Sequence, residues 1–146
     1  MKKFLKILIL SLIFSNMPGL SAGAEKIKIG LLVPLTGENK DLGQSIIRAT
    51  RLALIDIDSK EIEIIPKDTK SNPESTFKAA MELKKLGVRV VVGPVFHKSL
   101  SKLNQLNDMT FVSLTNKIIN IPKNVITAGI DSNSQLKTIK KFKKKN

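Results

Sequence analysis

Apolar segments of two different periods alternate along almost the whole chain, and this alternation limits the possible folds more than any other feature. Short runs rich in β-branched residues predict buried strands over 26–37, 61–68, 88–93, 109–115 and 124–130. Apolar residues with helical spacing lie between these runs and predict helices. Strands and helices that alternate with short connections are typical of parallel βαβ units. We therefore expect an α/β protein built as a three-layer α/β/α, doubly wound parallel sheet.

Capping residues mark the limits of the predicted helices. Asp41 and Gln44 have the spacing of a capping box and predict the start of the first helix. Asn72 before Pro73 predicts the start of the second helix, and Gly87 predicts its end. Apolar residues spaced by three predict two further helices, one at Leu100, Leu103 and Leu106 and one at Leu136, Ile139 and Phe142.

The N-terminus has the order of a secretory signal peptide. Three early lysines precede the apolar run ILILSLIF at 7–14, and small residues lead to an A-x-A site that ends at Ala24. The apolar run is shorter than the roughly 20 residues that span a bilayer. A buried N-terminal helix is the alternative interpretation. We expect export to the periplasm with cleavage after Ala24, a folded domain over 25–142, a basic tail over 143–146, and no stable membrane insertion after cleavage.

The excess of positive charge lies at the two ends of the chain. Of the formal net charge of +13, nine charges come from lysines within 1–6 and 137–146, which leaves +4 for the body. The chain has no tyrosine or tryptophan for base stacking and no nucleic-acid-binding motif, so we expect no nucleic-acid partner. The absence of cysteine excludes disulfides, thiolate metal sites and a cysteine nucleophile.

Small and polar residues follow each of the first four predicted strands. In an open parallel sheet, ligands bind beyond the carboxyl ends of the strands. Hydroxyl groups and backbone N–H groups at that edge suit a carboxylate or another small anion. The same residue types also cap helices and form turns, and this alternative stays open. The candidate ligand-binding residues are Thr36, Gly37, His97, Ser99, Thr115 and Asn116.

Motifs of common catalytic sites are missing from the sequence. Residues 37–43 lie between a strand and a helix but lack the Gly-Lys-Ser/Thr ending of a P-loop, and no G-x-G-x-x-G occurs. No serine of the predicted domain over 25–142 stands in a G-x-S-x-G elbow. His97 is the only histidine, and without cysteines or clustered acids it is poor evidence for a metal site. Asp68, beside Thr69 and Lys70, is interpreted as a turn residue. We expect no enzyme activity, no metal and no cofactor.

Four motifs in order carry a resemblance to a known family. They are P-L-T-G at 34–37, which leads into a helix start at Gly43, then Asp68-Thr69, Gly93-Pro94 and S-L-T-N at 113–116. With these motifs the sequence resembles the type I periplasmic binding protein superfamily, and within it the leucine-binding-like branch, over nearly all of 26–142. The resemblance implies the N-terminal lobe of a protein whose two lobes close on a solute.

The same resemblance implies roles for the candidate residues. In the amino-acid binders a serine after the Gly-Pro turn and a threonine after the fourth strand hold the ligand. Thr115 matches the threonine, whereas His97 stands at the serine position and Ser99 follows two residues later. Thr115 and Ser99 are then expected to donate to an anionic group, His97 to supply specificity, and Thr36 and Gly37 to border the cleft.

Two functions follow as expectations from the resemblance. The first is a periplasmic solute-binding protein, the receptor of an ABC transporter for an amino acid or a related small solute. The segments G-P-V-F and S-L-T-N are also similar to the penicillin-binding protein activator branch, so the alternative is an envelope regulator that acts by protein–protein contact. The implied partners are a small-molecule solute and either an ABC transporter permease or a cell-wall synthase.

The length of the chain differs from that of the family. The chain stops near the end of the first lobe, so we expect a protein truncated to one lobe, with a natural end as the alternative. A third possibility is a degenerate fragment with no independent role. Such a fragment is expected to aggregate, because the absent second lobe leaves apolar surface uncovered.

Overall fold

Five parallel strands form one sheet in the order β2-β1-β3-β4-β5, which confirms the predicted α/β class. The computed structural model describes residues 26–130 and 132–143, so the predicted signal peptide and the last three residues of the predicted tail lie outside the described residues. The strands are β1 (Ile27–Val33), β2 (Ile62–Asp68), β3 (Val90–Val92), β4 (Thr110–Ser113) and β5 (Val125–Thr127). The helices are α1 (Lys40–Ile57), α2 (Pro73–Lys85) and α3 (Ser132–Lys143), with short 3₁₀ helices at His97–Leu100 and Leu103–Gln105.

The strand pairing places all five carboxyl ends along one edge of the sheet. β1 pairs with β2 from Ile27 opposite Ile62 to Val33 opposite Asp68. The pairs β1–β3, β3–β4 and β4–β5 are parallel as well. Because every pair is parallel, the loop after each strand emerges on the same side of the molecule. We call this side the carboxyl edge.

Helices lie on both faces of the sheet. Leu31 and Leu32 are adjacent in β1 and therefore point to opposite faces. Leu32 packs in the main core with Leu83 of α2, whereas Leu31 borders a small cavity that is also lined by Ile47 and Leu54 of α1. α2 and the 3₁₀ helices thus cover one face, and α1 covers part of the other. The main core consists of Leu32, Ala79, Ala80, Leu83, Val88, Val91, Leu100, Leu103, Leu106, Met109, Phe111 and Val125.

The predicted limits of α2 are confirmed. The side-chain oxygen of Asn72 accepts a hydrogen bond from the Ser75 N–H at 2.9 Å, and Pro73 occupies the first helical position. Gly87 follows the helix with φ +82°, a conformation that a residue with a Cβ adopts at a cost. Asn72 and Gly87 pair backbone groups that a helix end leaves unpaired, and Pro73 has no N–H that would need a partner.

The predicted start of α1 is corrected by two positions. Asn39, and not Asp41, occupies the N-cap position, and its side chain makes no capping hydrogen bond. The Asn39 side chain instead donates to the Ser71 hydroxyl oxygen at 3.2 Å. Among the described residues of α1, only Gly43 is buried, because the helix passes close to Pro34 at this position. A Cβ on residue 43 would lie 1.7 Å from the Pro34 carbonyl oxygen.

The helix predicted around Leu100, Leu103 and Leu106 is also corrected. Two separate 3₁₀ helices occupy this segment, and all three leucines are buried. A 3₁₀ helix has three residues per turn, so apolar residues spaced by three lie on one side of it. The three-residue spacing of the leucines, which predicted an α-helix, therefore matches the three residues per turn of a 3₁₀ helix.

The α1 face of the sheet is bare over β3, β4 and β5. Val91, Phe111 and Val125 point into the core, so their neighbours in each strand point to the opposite face. No helix among the described residues covers these neighbours, and Val90 is 44% and Ile126 59% exposed. We call this surface the bare strip; it consists of Val90, Val92, Thr110, Val112 and Ile126.

The predicted last helix is present as α3, but none of its residues is buried. Its apolar residues Leu136, Ile139 and Phe142 are 53%, 62% and 71% exposed. Among the described residues, no helix has the length and apolar character needed to cross a membrane.

Candidate functional site

The turn after β3 is held against the end of β4 by three hydrogen bonds. The Gly93 N–H donates to the Val112 carbonyl at 2.8 Å, and the Leu114 N–H and the Ser113 hydroxyl donate to the Pro94 carbonyl at 3.1 and 2.8 Å. Gly93 has φ +104°, and a Cβ there would lie 2.2 Å from the Leu32 carbonyl oxygen. A glycine is therefore required for β3 to end next to β1.

Beyond this turn, the loops that follow β3, β4 and β5 surround an open cleft of about 530 Å³. The cleft lies at the carboxyl edge of the sheet, where ligands of open parallel sheets bind. Gly129, after β5, closes one side, because its backbone packs so tightly that a Cβ would lie 2.2 Å from the Thr115 carbonyl oxygen. The side chains that give the cleft its chemistry are Phe96, His97, Lys98, Thr115, Asn116 and Lys117.

Polar groups of the cleft are held in defined positions. The His97 Nε2–H donates to the Ile119 carbonyl, with the two atoms 2.6 Å apart, and this bond fixes the ring. Thr115 is buried, and its hydroxyl oxygen accepts a 3.3 Å hydrogen bond from the Lys117 N–H. That bond uses an oxygen lone pair and leaves the Thr115 hydroxyl hydrogen to donate.

The charge of the cleft is positive. Lys98 and Lys117 are exposed and belong to its lining, and the lining includes no aspartate or glutamate. Two cations beside a hydroxyl donor attract an anionic group, and the absence of a lining carboxylate removes a competing charge. The arrangement suits a small solute that bears a carboxylate.

Three of the six predicted ligand-binding residues come together in this cleft, namely His97, Thr115 and Asn116. Ser99 does not join them, because it is 1% exposed and is not part of the cleft lining. The short 3₁₀ helix that begins at His97 turns Ser99 and Leu100 toward the interior. The Ser99 hydroxyl therefore cannot meet a ligand in the cleft in this conformation.

Thr36 and Gly37 lie at the end of β1, outside the cleft lining. The Thr36 hydroxyl donates to the Asp68 carboxylate at 2.6 Å, and Gly37 is exposed with φ +79°. β1 lies between β2 and β3 in the sheet, but the loop after β1 is bonded to Asp68 at the end of β2, whereas the cleft is lined by the loops after β3, β4 and β5.

Asp68 is more than the turn residue predicted for it. Its carboxylate accepts from the Lys70 N–H at 2.9 Å, as a turn residue does, and also from the Leu35 N–H at 2.8 Å and the Thr36 hydroxyl. Partial burial alone would raise the pKa of Asp68, but the hydrogen bonds from Thr36, Leu35 and Lys70 outweigh it and hold the pKa below its ordinary value. The ionised carboxylate thus joins the ends of β1 and β2.

The residues of the cleft that were not predicted include Phe96, Lys98 and Lys117. Each of them is adjacent in sequence to a predicted residue. Their position in the loops after β3 and β4 is the sequence signal that could have identified them. Within the described ranges 26–130 and 132–143, no group of three or more His, Cys, Asp or Glu residues lies close enough to hold a metal ion.

The family described as periplasmic binding protein matches residues 26–139 of the chain. This match covers most of the sequence. The chain belongs to the periplasmic binding protein family. Membership agrees with the parallel α/β sheet.

Solved structures of other binding proteins share the fold. The leucine-binding protein LivK of Thermotoga maritima is 19% identical with a TM-score of 0.65, and the match covers 80% of this chain and 36% of that one. A solute-binding protein of an ABC transporter from Rhodopseudomonas palustris, in complex with 3,4-dihydroxybenzoic acid, is 25% identical with a TM-score of 0.63, and the match covers 70% and 31%.

Full-length LpoA of Haemophilus influenzae is a further structural relative. It is 25% identical with a TM-score of 0.59, and the match covers 73% of this chain and 20% of that one. The C-domain of the same protein, which also matches, is described as a regulator of PBP1A. The chain thus spans about a third or less of the length of these solved relatives. A search of curated proteins gave no match.

Proposed function

We propose that this chain is the solute-binding lobe of an exported ABC-transporter receptor, and that its ligand is a small solute with a carboxylate, such as an amino acid. The observation that supports this best is the cationic cleft at the carboxyl edge, where Lys98, Lys117 and the Thr115 hydroxyl line one space without a carboxylate. The Rhodopseudomonas palustris relative holds a carboxylic acid, which agrees with the proposed class of ligand.

The proposed roles follow from position and chemistry. The Thr115 hydroxyl donates to the ligand carboxylate, and the two lysines attract that charge as the ligand approaches. His97 lies beside the carboxylate with its ring already fixed and selects among ligands by the group that it contacts. The cleft is open to one side, so we expect weak binding by this lobe alone and a second surface to complete the enclosure.

The first test is calorimetric titration of the chain recovered from the periplasmic fraction. N-terminal sequencing of that material should begin at Glu25 if the signal peptide is cleaved after Ala24. The panel contains branched-chain amino acids, 3,4-dihydroxybenzoate and the matching carboxamides. Acids should bind and amides should not, because the amides lack the charge that the lysines attract. Absence of heat with every ligand contradicts solute binding by this lobe.

Matched variants locate the binding site. Thr115→Val should weaken the affinity for the acid about tenfold or more, which is the usual loss when a hydrogen bond to a charged group is removed. Thr110→Val is the control, because Thr110 starts β4 at the opposite edge of the sheet and does not line the cleft. Equal losses in the two variants would place the ligand elsewhere.

A second candidate function is regulation of a cell-wall synthase by protein contact. LpoA of Haemophilus influenzae, whose C-domain is described as a regulator of PBP1A, matches 73% of this chain at 25% identity, as high an identity as that of the solute-binding relative from Rhodopseudomonas palustris. Affinity purification of the tagged chain from solubilised envelopes separates the two proposals. Recovery of a penicillin-binding synthase favours regulation, and recovery of a transporter permease favours solute delivery.

A further inference from the structure

His97 is the only histidine of the chain, and one of its two ring nitrogens is already used. The Nε2–H donates to the Ile119 carbonyl, with the two atoms 2.6 Å apart. A carbonyl oxygen can only accept a hydrogen bond, so Nε2 carries the proton of the neutral ring and Nδ1 carries the lone pair. The backbone of the loop after β4 thus determines which nitrogen of His97 can accept.

The second ring nitrogen of His97 is left for a ligand. Nδ1 has no hydrogen-bond partner among the residues that the structure describes, and it is not buried. His97 belongs to the lining of the cleft. Rotation of the ring would break the bond to Ile119, so that bond also fixes the position of Nδ1. His97 therefore presents one fixed, neutral acceptor at the cleft.

The other polar side chains of the cleft are mainly donors. Lys98 and Lys117 are cations that have no lone pair to offer, and the Thr115 hydroxyl hydrogen remains to donate. Asn116 carries an amide that both donates and accepts. The cleft thus combines donors and positive charge, which suit a carboxylate, with the neutral acceptor of His97, which suits a second group on the same ligand.

We propose that the cleft selects a hydroxy carboxylate, whose hydroxyl group donates to His97 Nδ1 while its carboxylate meets Thr115 and the two lysines. This inference rests on the proposed function, because it concerns a second group on the same carboxylate ligand. The hydroxyl group belongs on a carbon close to the carboxylate, since His97 and Thr115 line one cleft.

An ammonium group also donates hydrogen bonds, but the charges of this lobe oppose it. Lys98 and Lys117 repel a cation, and the cleft lining supplies no carboxylate that would neutralise it. A hydroxyl group donates one hydrogen bond and brings no charge. Charge therefore favours the hydroxy acid over the amino acid of the same shape.

The test is calorimetric titration of the full chain with three ligands of one shape, namely isocaproate, α-hydroxyisocaproate and leucine. They differ only in the group beside the carboxylate, which is a hydrogen, a hydroxyl or an ammonium group. We expect α-hydroxyisocaproate to bind about fivefold more tightly than isocaproate, the usual effect of one neutral hydrogen bond. It should also bind more tightly than leucine.

Variants of His97 test the acceptor. His97→Leu should remove the preference for α-hydroxyisocaproate over isocaproate, because leucine has no lone pair. His97→Asn should restore part of that preference, since the asparagine amide oxygen is as many bonds from the backbone as Nδ1. Loss of the bond to Ile119 affects both ligands alike, so the ratio of the two affinities reports on the acceptor alone.

Variants of the lysines test the selection by charge. Lys98→Gln with Lys117→Gln should weaken the binding of isocaproate and α-hydroxyisocaproate more than that of leucine, because the repulsion of the ammonium group is removed as well. Lys78→Gln with Lys85→Gln is the matched control, since these exposed lysines of α2 lie outside the cleft lining. The control should bind all three ligands like the unmodified chain.

Four results would overturn the inference. Equal affinities for isocaproate and α-hydroxyisocaproate would remove the hydroxyl contact but leave the proposed function standing, since both acids bind. Tighter binding of leucine than of α-hydroxyisocaproate would remove the selection by charge. An unchanged ratio in His97→Leu would assign the hydroxyl group to another acceptor, such as Asn116. Absence of heat with all three ligands would overturn the inference together with the proposed function.

Discussion

Among single residues, Gly93 shows how one position can decide where two strands end. Its φ of +104° is rarely adopted by residues with a Cβ, and its backbone lies against the Leu32 carbonyl. The turn that it forms also places the Pro94 carbonyl where Ser113 and Leu114 donate to it. The position of the cleft beside β3 and β4 therefore depends on a residue without a side chain.

Gly93→Ala is expected to destabilise the protein by about 3 kcal/mol or more, because a steric clash adds to the backbone strain. Gly87→Ala is the matched control, since Gly87 also has a positive φ of +82° but a Cβ there meets nothing within 4 Å. That variant should lose only about 1–2 kcal/mol from the left-handed conformation. Urea denaturation of both variants measures the free energy of unfolding. Equal decreases in the two variants would show that the close approach of residue 93 to Leu32 does not add to the destabilisation.

Among the secondary-structure elements, α2 and α1 begin in different ways although both have an asparagine at the N-cap position. The Asn72 side chain caps α2 directly, whereas the Asn39 side chain leaves α1 uncapped and contacts Ser71 in a neighbouring loop. α2 also contributes Ala79, Ala80 and Leu83 to the main core, so its end is fixed both locally and by packing. α1 is held mainly by partial burial against β1 and β2.

Asn72→Ala is expected to lower the free energy of unfolding by about 1 kcal/mol, the usual effect of losing an N-cap hydrogen bond. Asn72→Ser should retain most of the stability, because a serine oxygen can accept from the same N–H group. Asn39→Ala should have a smaller effect than Asn72→Ala, since no capping bond is lost. Urea denaturation monitored by circular dichroism compares the three variants, and a larger loss at Asn39 would contradict this account of the two helix starts.

For the whole molecule, the main feature is a sheet whose two faces are covered unequally. α2 and the two 3₁₀ helices cover one face, on which the main core lies, whereas α1 covers only the β1 and β2 part of the other face. The bare strip and the exposed residues Leu136, Ile139 and Phe142 of α3 together present apolar surface of a kind that promotes association. A tendency to aggregate is therefore expected from the exposed apolar surface as a whole, and no single residue produces it.

Val90→Thr with Ile126→Thr is expected to reduce the fluorescence of bound anilinonaphthalene sulfonate and the tendency to associate, while the free energy of unfolding changes by less than about 1 kcal/mol. Val91→Thr is the matched control, because Val91 is adjacent to Val90 but fully buried. A hydroxyl in the core should cost about 1–3 kcal/mol there. Unchanged dye fluorescence in the double variant would mean that the bare strip is covered in solution.

Local sequence signals determined the element types and several of their limits. The alternation of strand and helix patterns gave the α/β class, and Asn72, Pro73 and Gly87 gave the limits of α2, because capping and turn formation involve residues only a few positions apart. His97, Thr115 and Asn116 were accessible to the same reasoning, since the carboxyl ends of parallel strands must share one edge.

The tertiary structure decided the rest, because those features depend on contacts between distant segments. The bond from Thr36 to Asp68 holds the loop after β1 against the end of β2, outside the cleft. A short 3₁₀ helix buries Ser99 only two residues after His97. The Asp68 carboxylate accepts a hydrogen bond from the Leu35 N–H, 33 residues earlier in the chain, and so joins the ends of β1 and β2. No local sequence pattern extends over 33 residues. Sequence alone thus fixed which residues lie at the carboxyl edge, whereas packing fixed which of them share a cleft.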